Sequence, residues 1–206
     1  MTAAIAAGLG PSRDLAARRP QLIGRGPAAP PLRRADGVYV VGAGDLADEA
    51  AAEAALALAL PVEARQGCDT PVNVAGGFRA ERVARGSTAT WESLYASNLK
   101  SALNLSSAAI PRLPAGGRII NIGAAAAKSA VARLTESPAE ELRDGHISVN
   151  AVLPNVIDTP RIRAEVPNAD PTDWISPEAI ADVILFLTSP AARAISGALI
   201  PVTRPA

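Results

Sequence analysis

Short apolar runs alternate with Ala- and Leu-rich segments from about residue 37 to the end of the chain, and this alternation constrains the fold most. The apolar runs are rich in Val and Ile and are bounded by Gly or Pro, which indicates buried strands. The segments between them have the composition and spacing of amphipathic helices. Strands that alternate with helices form a parallel sheet covered on both faces. The sequence therefore predicts an α/β fold.

The boundaries of the elements follow from the same patterns. The predicted strands are 21–24, 38–41, 71–74, 117–123, 147–153 and 198–202. The predicted helices are 46–60, a long helix capped by Thr90, 125–142, and one that begins at Ser176-Pro177, where Ser is the N-cap and Pro the first helical residue. Residues 26–36 are predicted to form a loop. The apolar stripe of the long helix is predicted to contain Trp91, Leu94, Tyr95, Asn98, Ala102, Leu105 and Ala109.

Composition excludes several classes of function. The 206 residues fit a single domain, 1–206, in which 1–36 is the least regular part. Twenty basic and twenty acidic residues cancel, which argues against a nucleic-acid or anionic-membrane partner. The single cysteine, Cys68, suits a reducing compartment, and no apolar run has the length of a membrane span, so we expect a cytoplasmic protein. The only histidine, His146, lies in a turn without a metal-binding or triad pattern.

Ligands of parallel sheets bind beyond the carboxyl ends of the strands, so the segments after the predicted strands carry the candidate site. Asn73-Val-Ala-Gly76 ends one strand, and Asn98 interrupts the apolar stripe of the long helix, where an amide needs hydrogen-bond partners. Lys128-Ser-Ala-Val and Pro154-Asn-Val-Ile-Asp-Thr-Pro160 follow two later strands. In this order and context, these segments resemble the short-chain dehydrogenase/reductase family.

The resemblance implies a Rossmann-like, doubly wound sheet and an NAD(P)-dependent oxidoreductase that moves a hydride between nicotinamide and the carbon of a carbonyl or alcohol. It implies two catalytic residues: Asn98, which holds a water in the proton relay, and Lys128, which binds the nicotinamide ribose and lowers the pKa of a Tyr. The cofactor-binding residues that it implies are Gly8, Gly10, Arg25, Asp45, Leu46, Asn73, Ala75, Gly76, Lys128, Pro154, Ile157 and Thr159.

Several of these assignments have an alternative. Asn73–Gly76 is otherwise a plain strand-to-loop turn, Asn98 a core amide satisfied by nearby backbone, and Lys128 an exposed side chain at a helix start. Gly8-Leu-Gly10 matches the end of a phosphate-binding glycine loop whose first strand is shortened, or it is a Gly-rich tail loop. Arg25 follows the predicted strand 21–24, which the resemblance makes the second strand of the family's fold. A basic residue there favours NADP over NAD in the family; alternatively Arg25 is a solvated side chain. Asp45-Leu46 matches the pair that contacts adenine in the family, and Asp45 would also cap a helix that begins at Leu46.

The chain departs from the family at the catalytic acid. The family has a Tyr four residues before the Lys, and the residue four before Lys128 is Ala124. The position of the catalytic Ser is Gly123 or Ala124, and the stretch between Asn98 and Lys128 is shorter than is usual. The resemblance therefore implies a family scaffold from which the Tyr and the Ser are missing.

Three functions remain open at this stage. The first is an oxidoreductase with residual or altered activity on a small carbonyl or alcohol, with residues 161–175 and Trp174 lying over the substrate. The second is a cofactor-binding or partner subunit, because the helices around 91–110 and 125–142 form the interface of dimers and tetramers in similar proteins. The third is a shortened copy without a function of its own.

Overall fold

The computed structural model describes residues 20–25, 33–35, 38–43, 45–59, 69–77, 84, 86–123 and 128–204. Within these ranges seven strands form one sheet. The strands are β1 Pro20–Arg25, β2 Arg33–Ala35, β3 Val38–Ala43, β4 Thr70–Asn73, β5 Arg118–Ile122, β6 Ser148–Pro154 and β7 Leu199–Val202. Their order is β2-β3-β1-β4-β5-β6-β7, and every neighbouring pair is parallel except β2 with β3. The predicted parallel α/β sheet is confirmed.

Six α-helices lie between or beside these strands in the described ranges. They are α1 Glu49–Ala59, α2 Thr88–Tyr95, α3 Ser101–Ala109, α4 Lys128–Glu141, α5 Pro160–Glu165 and α6 Pro177–Thr188. A π-helical turn, Ala96–Lys100, joins α2 to α3. Ser176 caps α6 by accepting from the amide of Ala179, with Pro177 as the first helical residue, as the sequence predicts.

The two faces of the sheet are packed against different helices. Side chains of successive strand residues point to opposite faces. In β5, Ile120 and Ile122 therefore join a core cluster with α6, while Ile119 joins a separate cluster with Ala139 of α4. A third cluster joins α1 to α3 through small and branched apolar residues, in a chain of which only 3% is aromatic. Helices thus cover both faces, as expected for a doubly wound sheet.

The strand order changes the interpretation of the N-terminal region. In the doubly wound order 3-2-1-4, the first strand lies beside the fourth, and the order reverses between them. Here β1 lies directly between β3 and β4, so it occupies the position of the first strand. The sequence had assigned this segment, and Arg25 at its end, to the second strand. That assignment is wrong, and Arg25 ends the strand at the point of reversal.

The predicted loop 26–36 is also wrong in part, because Arg33–Ala35 forms β2. This strand pairs antiparallel with β3 at the edge of the sheet, from Arg33 opposite Val40 to Ala35 opposite Val38. An edge strand of this kind is held by backbone hydrogen bonds on one side, so it needs no apolar run. The Arg-Arg-Ala sequence therefore carried no strand signal.

Two predicted helix starts are wrong because nearby side chains cap different residues. The helix predicted from Leu46 begins at Glu49, since Asp48 accepts from the amide of Ala51 at 2.9 Å. The helix predicted to be capped by Thr90 begins at Thr88, because Ser87 accepts from the amide of Ala89 at 3.2 Å. Asp, Ser and Thr all stabilise helix N-termini, so the sequence alone did not select among neighbours.

The apolar stripe of the long helix is confirmed only in its second half. Asn98, Ala102, Leu105 and Ala109 are buried. By contrast, Trp91 is 41% exposed and Tyr95 is 55% exposed, and no residue of α2 is buried. The π-helical turn separates the two halves, so a single α-helical period does not describe both.

Candidate functional site

The candidate site lies where β4, β5 and β6 end, at the same edge of the sheet. The segments that follow these strands are Val74–Gly77, Gly123 and Asn155–Thr159. Parallel strands bring their carboxyl ends together, and the reversal of strand order beside β1 opens a crevice there. Two regions selected from the sequence, Asn73–Gly76 and Pro154–Thr159, therefore come to one edge of the molecule.

Asn98 ties the long helix to the loop after β4. Its Oδ1 accepts from the amide of Gly77 at 3.2 Å, and its Nδ2 donates to the carbonyl of Gly77 at 3.1 Å. The same Nδ2 donates to the carbonyl of Leu94 at 2.8 Å and to Oγ of Ser97 at 3.2 Å. The side chain is only 4% exposed. We call this set of contacts the Asn98 clamp. A buried amide satisfied by backbone was one interpretation open from the sequence, and it is the one observed.

The side chain of Asn98 lies so close to the backbone of residue 76 that this residue must be a glycine. A Cβ placed on Gly76 would lie 2.7 Å from Oδ1 of Asn98, closer than real Cβ contacts allow. At Gly77 the nearest atom to such a Cβ is Oγ of Ser97 at 3.7 Å, which is ordinary contact. The loop therefore accepts a side chain at 77 but not at 76.

We expect Gly76→Ala to displace Asn98 and to weaken nicotinamide dinucleotide binding about tenfold, since relieving such a contact costs about 1–3 kcal/mol. Gly77→Ala is the matched control, one residue away, and its dissociation constant should match that of the wild type. Titration of both variants with NADPH checks the expectation. Equal dissociation constants for the two variants would contradict it.

A second polar network lies beneath the clamp, in the core. Nδ2 of Asn73 donates to Oδ1 of Asn121 at 2.7 Å and to Oγ of Ser106 at 3.0 Å. Nδ2 of Asn121 donates to Oγ1 of Thr135 at 3.0 Å, and this hydroxyl donates to the carbonyl of Val131 at 2.8 Å. The network therefore links β4, β5, α3 and α4. It fixes the first turns of α4, where Lys128 begins the helix, against the strand that carries Asn73.

Sequence reasoning selected Asn73 but missed its partners, Asn121, Ser106 and Thr135. All three side chains are buried. A signal for Asn121 was present, because it is a polar residue within the apolar run Ile119–Ile122, and a buried amide needs partners. Asn73 and Asn121 are also direct neighbours in the pairing of β4 with β5. That pairing is a product of the sheet order, which the sequence did not give.

Asp45 and Leu46 have different environments. Asp45 is exposed and accepts from the amide of Ala47 at 3.2 Å, so it stabilises a turn rather than the helix start. The side chain of Leu46 is buried among Leu56 and Leu105, and its carbonyl accepts from Nδ2 of Asn104 at 3.1 Å. Asp45 therefore presents its carboxylate to solvent, while the side chain of Leu46 serves the core.

The end of β6 is built around Pro154 and Thr159. Pro154 is the last residue of the strand, and the amide of Asn155 donates to the carbonyl of Val202 in β7. Oγ1 of Thr159 accepts from the amide of Ile162 at 3.3 Å and so caps α5, a helix that the sequence did not predict. Ile157 is buried and forms a parallel bridge with Ile175.

The bridge closes the base of an excursion, residues 158–174, which we call the strap. The amide of Asp158 donates to the carbonyl of Ile175, and the amide of Ile175 donates to the carbonyl of Val156, both at 2.8 Å. Inside the strap, Arg163 donates to both carboxylate oxygens of Asp158 at 2.6 and 2.7 Å. Its guanidinium also lies 5.9 Å from the centre of the Trp174 ring. Side-chain contacts thus order the strap internally.

The charges of the strap are set by these contacts. The hydrogen bond from Arg163 lowers the pKa of Asp158 below its ordinary value of 3.8, and the same pair raises the pKa of Arg163. The backbone amide of Thr172 lowers the pKa of Asp170. Because the pKa values of these two carboxyl groups are lowered in the folded chain, both groups remain ionised at a pH near the pKa of a free aspartate. The strap therefore keeps its ion pair throughout the neutral range.

Several candidate residues lie outside what the structure describes. Gly8, Gly10 and the Ala124–Ala127 segment are among these. Arg25 and Lys128 are described as backbone only: Arg25 ends β1, and Lys128 is the first residue of α4. The proposed glycine loop, the basic selector and the lysine contact therefore stay predictions.

The loop after β4 is built from small residues, and the clamp holds the backbone of Gly77 in place. Within the described ranges no group of three His, Cys, Asp or Glu residues could hold a metal. The hydroxyls of Ser97 and Ser101 both donate to backbone carbonyls, of Leu94 and Ser97 respectively.

Comparisons with known proteins point to one family. A sequence profile described as enoyl-(acyl carrier protein) reductase matches residues 26–204. D-beta-hydroxybutyrate dehydrogenase of Rhizobium meliloti is 28% identical, with 63% of this chain aligned to 56% of that protein. A 3-oxoacyl-(acyl-carrier-protein) reductase of Pseudomonas aeruginosa is 34% identical, with 64% of this chain aligned to 62% of that protein. The matches thus span less than two thirds of these relatives.

A solved structure gives the same result at the level of the fold. A blue fluorescent protein from a metagenomic library, in complex with NADPH, superposes with a TM-score of 0.68 at 29% identity. The match covers 81% of this chain and 75% of that protein. Among the residues that the structure describes, no helix is long and apolar enough to cross a membrane.

Proposed function

The chain belongs to the short-chain dehydrogenase/reductase family, and we propose that it binds NAD or NADP but transfers hydride inefficiently. The observation that carries this proposal is the intact Asn98 clamp on Gly77, combined with Ala124 at the position of the catalytic Tyr. The scaffold that presents a dinucleotide is retained, whereas the hydroxyl that would supply a proton is not. When bound, the dinucleotide supplies the hydride chemistry.

The residues of this chain orient the cofactor and the substrate in this proposal. Ala75 and Gly76 admit the ribose beside the end of β4, and Pro154, Ile157 and Thr159 present backbone at the end of β6. Asn98 holds the loop after β4 through both polar atoms of its side chain, and its Oδ1 retains a second acceptor site. Lys128 begins α4 and contributes a positive charge near the ribose.

The phosphate-binding loop follows β1 in this proposal. Because β1 lies beside β4, its carboxyl end is the place where doubly wound folds carry the glycine fingerprint, and the sequence there reads Gly24-Arg25-Gly26. A basic residue at this strand end suits the pyrophosphate, which NAD and NADP share. The preference for NADP that Arg25 suggested from the sequence is therefore less well supported than the binding of a dinucleotide.

The names of the relatives suggest the first substrates to test. They include a hydroxybutyrate dehydrogenase and a 3-oxoacyl reductase. The compounds in both names carry a hydroxyl or a ketone on the carbon β to a carboxyl group or its derivative. A 3-oxoacyl thioester and 3-hydroxybutyrate are therefore the probes of choice. The strap, with Trp174 packed on Arg163, supports a substrate position over the end of β6.

We expect micromolar binding of NADH or NADPH and turnover at least about 100-fold below that of a family member with its Tyr, since general acid catalysis contributes about 10²–10⁴-fold. Fluorescence titration measures the binding, and nucleotide oxidation with the two probes measures turnover. Lys128→Ala should weaken binding, and Lys100→Ala, an exposed lysine of the π-helical turn, is its control. Failure of both nucleotides to bind would contradict the proposal.

A partner-subunit function is the second candidate, and an exposed apolar row favours it. Trp91, Tyr95 and Leu103 are 41%, 55% and 43% exposed and follow one another along the long helix. Such a row is typical of an interaction surface. Light scattering distinguishes this candidate: a dimer or tetramer that Trp91→Glu converts to a monomer supports it. The single domain 1–206 and the cytoplasmic location stay proposals.

A further inference from the structure

A cleft lies at the amino edge of the sheet, opposite the candidate dinucleotide site. Its volume is about 380 Å³, and it opens between the second half of α4, the turn before β6 and the turn before β7. One wall carries Glu136, Glu140 and Arg143, and the facing wall carries Arg193. Strands β6 and β7 begin here and end at the other edge, so this cleft is separate from the site described above.

The charges on the two walls are not balanced in the same way. On α4, Glu136 pairs with Arg133 at 2.7 Å, and Glu140 pairs with Arg143. Glu136 is therefore paired within α4, and Glu140 is paired with the turn that follows α4. Arg193 has no carboxylate partner among the described residues, and its guanidinium makes only a hydrogen bond to the carbonyl of Pro190 at 3.4 Å. The cleft thus retains one unneutralised guanidinium.

Two further donors line the same cleft. His146 and Ser148 line it as well, His146 as an exposed side chain and Ser148 as a half-buried one. His146 has a backbone φ of 55°, the one positive value among the described non-glycine residues. That conformation is uncommon outside glycine, and such outliers cluster at ligand sites. The turn is held by hydrogen bonds from the His146 amide to Arg143 and from Gly116 to the His146 carbonyl.

The depth of the cleft depends on two small residues. A Cβ placed on Gly197 would lie 3.6 Å from Cβ of Ala139, so a larger side chain at either position would fill the space between the walls. The backbone φ of Gly197 is 76°, which other residues rarely adopt. The opening is therefore a product of backbone geometry as well as of side-chain size.

We propose that this cleft binds a small phosphate-bearing anion. A guanidinium matches the oxygens of a phosphate with two parallel hydrogen bonds, and an imidazole and a hydroxyl supply additional donors. A cleft of about 380 Å³ is larger than a phosphate group and lies within the range of small-molecule sites. A phosphate monoester of a small metabolite therefore fits better than inorganic phosphate alone. The site does not depend on the proposed dinucleotide function.

Isothermal titration tests the proposal, with inorganic phosphate and glycerol phosphate as probes at constant ionic strength. The titration is run in the presence of saturating NADPH, so that the pyrophosphate region of the first site does not contribute. We expect saturable binding of both probes, tighter for the ester, and a loss of at least about tenfold in Arg193→Gln. Arg161→Gln, at the opposite edge of the sheet, is the matched control and should bind like the wild type.

Two results would overturn the proposal: no saturable binding of either probe, or equal binding by Arg193→Gln and the wild type. A second variant, Ser148→Ala, guards against an effect of Arg193 on folding, and it should weaken both probes without changing the thermal transition. Arg193→Gln should leave the NADPH titration unchanged. Failure of NADPH to bind, by contrast, bears on the proposed function and leaves the phosphate titration interpretable.

Discussion

Ala124→Tyr is expected to raise the rate of nucleotide oxidation with a 3-oxoacyl thioester by about 100-fold over the wild type. The substitution returns a hydroxyl four residues before Lys128, whose positive charge lowers the pKa of a nearby phenol. The expected factor is at the low end of general acid catalysis, about 10²–10⁴-fold, because the position that the resemblance assigns to the catalytic Ser is Gly123 or Ala124. Single-turnover measurement with bound NADPH separates this chemical step from binding.

Ala124→Phe is the matched control, since it has the ring without the hydroxyl. It should bind NADPH as Ala124→Tyr does and should remain as slow as the wild type. Equal rates for the two variants would show that Lys128 and the nicotinamide do not flank position 124, and the partner-subunit function would then be favoured. Ala124 lies outside the described residues, so this expectation rests on the spacing to Lys128 at the start of α4.

Asn73→Leu is expected to lower the free energy of unfolding by about 2–3 kcal/mol. The substitution removes the donor of three buried hydrogen bonds, to Oδ1 of Asn121, Oγ of Ser106 and the carbonyl of Ala102. A buried group left unsatisfied costs about 1–3 kcal/mol. The substitution also removes Oδ1 of Asn73, a buried atom that has no hydrogen-bond partner among the described residues, and this offsets part of the cost. Urea unfolding followed by circular dichroism measures the change.

A double-mutant cycle distinguishes this network from simple loss of packing. Asn73→Leu combined with Asn121→Leu removes both members of the pair, so the combined loss should be smaller than the sum of the single losses by about 1 kcal/mol. Asn168→Leu, at an exposed position of the strap, should change the free energy of unfolding by less than about 0.5 kcal/mol. Additive losses would contradict the expected coupling.

Local composition was enough to predict most of the fold. Four central strands and the start of α6 at Ser176-Pro177 followed from apolar runs and from capping chemistry, both of which act over a few residues. The errors arose where several caps compete, as at Asp45 and Asp48, or where an edge strand is held by its backbone, as at β2. At the competing caps, neighbouring side chains suit the same role equally well, and at β2 the pairing with β3 is made by the backbone, which has no side-chain pattern.

The site was predicted as a set of segments but not as a set of contacts. The strand ends Asn73–Gly76 and Pro154–Thr159 lie at the same edge of the sheet, because parallel topology brings carboxyl ends together. The role of Asn98 as a clamp depends on a 2.7 Å approach to a position without a side chain at Gly76. Such an approach arises from the packing of the long helix on the sheet, which no local pattern encodes.

The hydrogen-bonded base of the strap has a consequence for how this scaffold can change. Its two ends meet at the Ile157–Ile175 bridge, and both isoleucines are buried in the core below. Residues between them contribute no strand to the sheet, so their exchange leaves the register of β6 and β7 intact. New binding surfaces can therefore be grafted between these two fixed points, which makes the segment a natural unit for redesign or for divergence between copies of the gene.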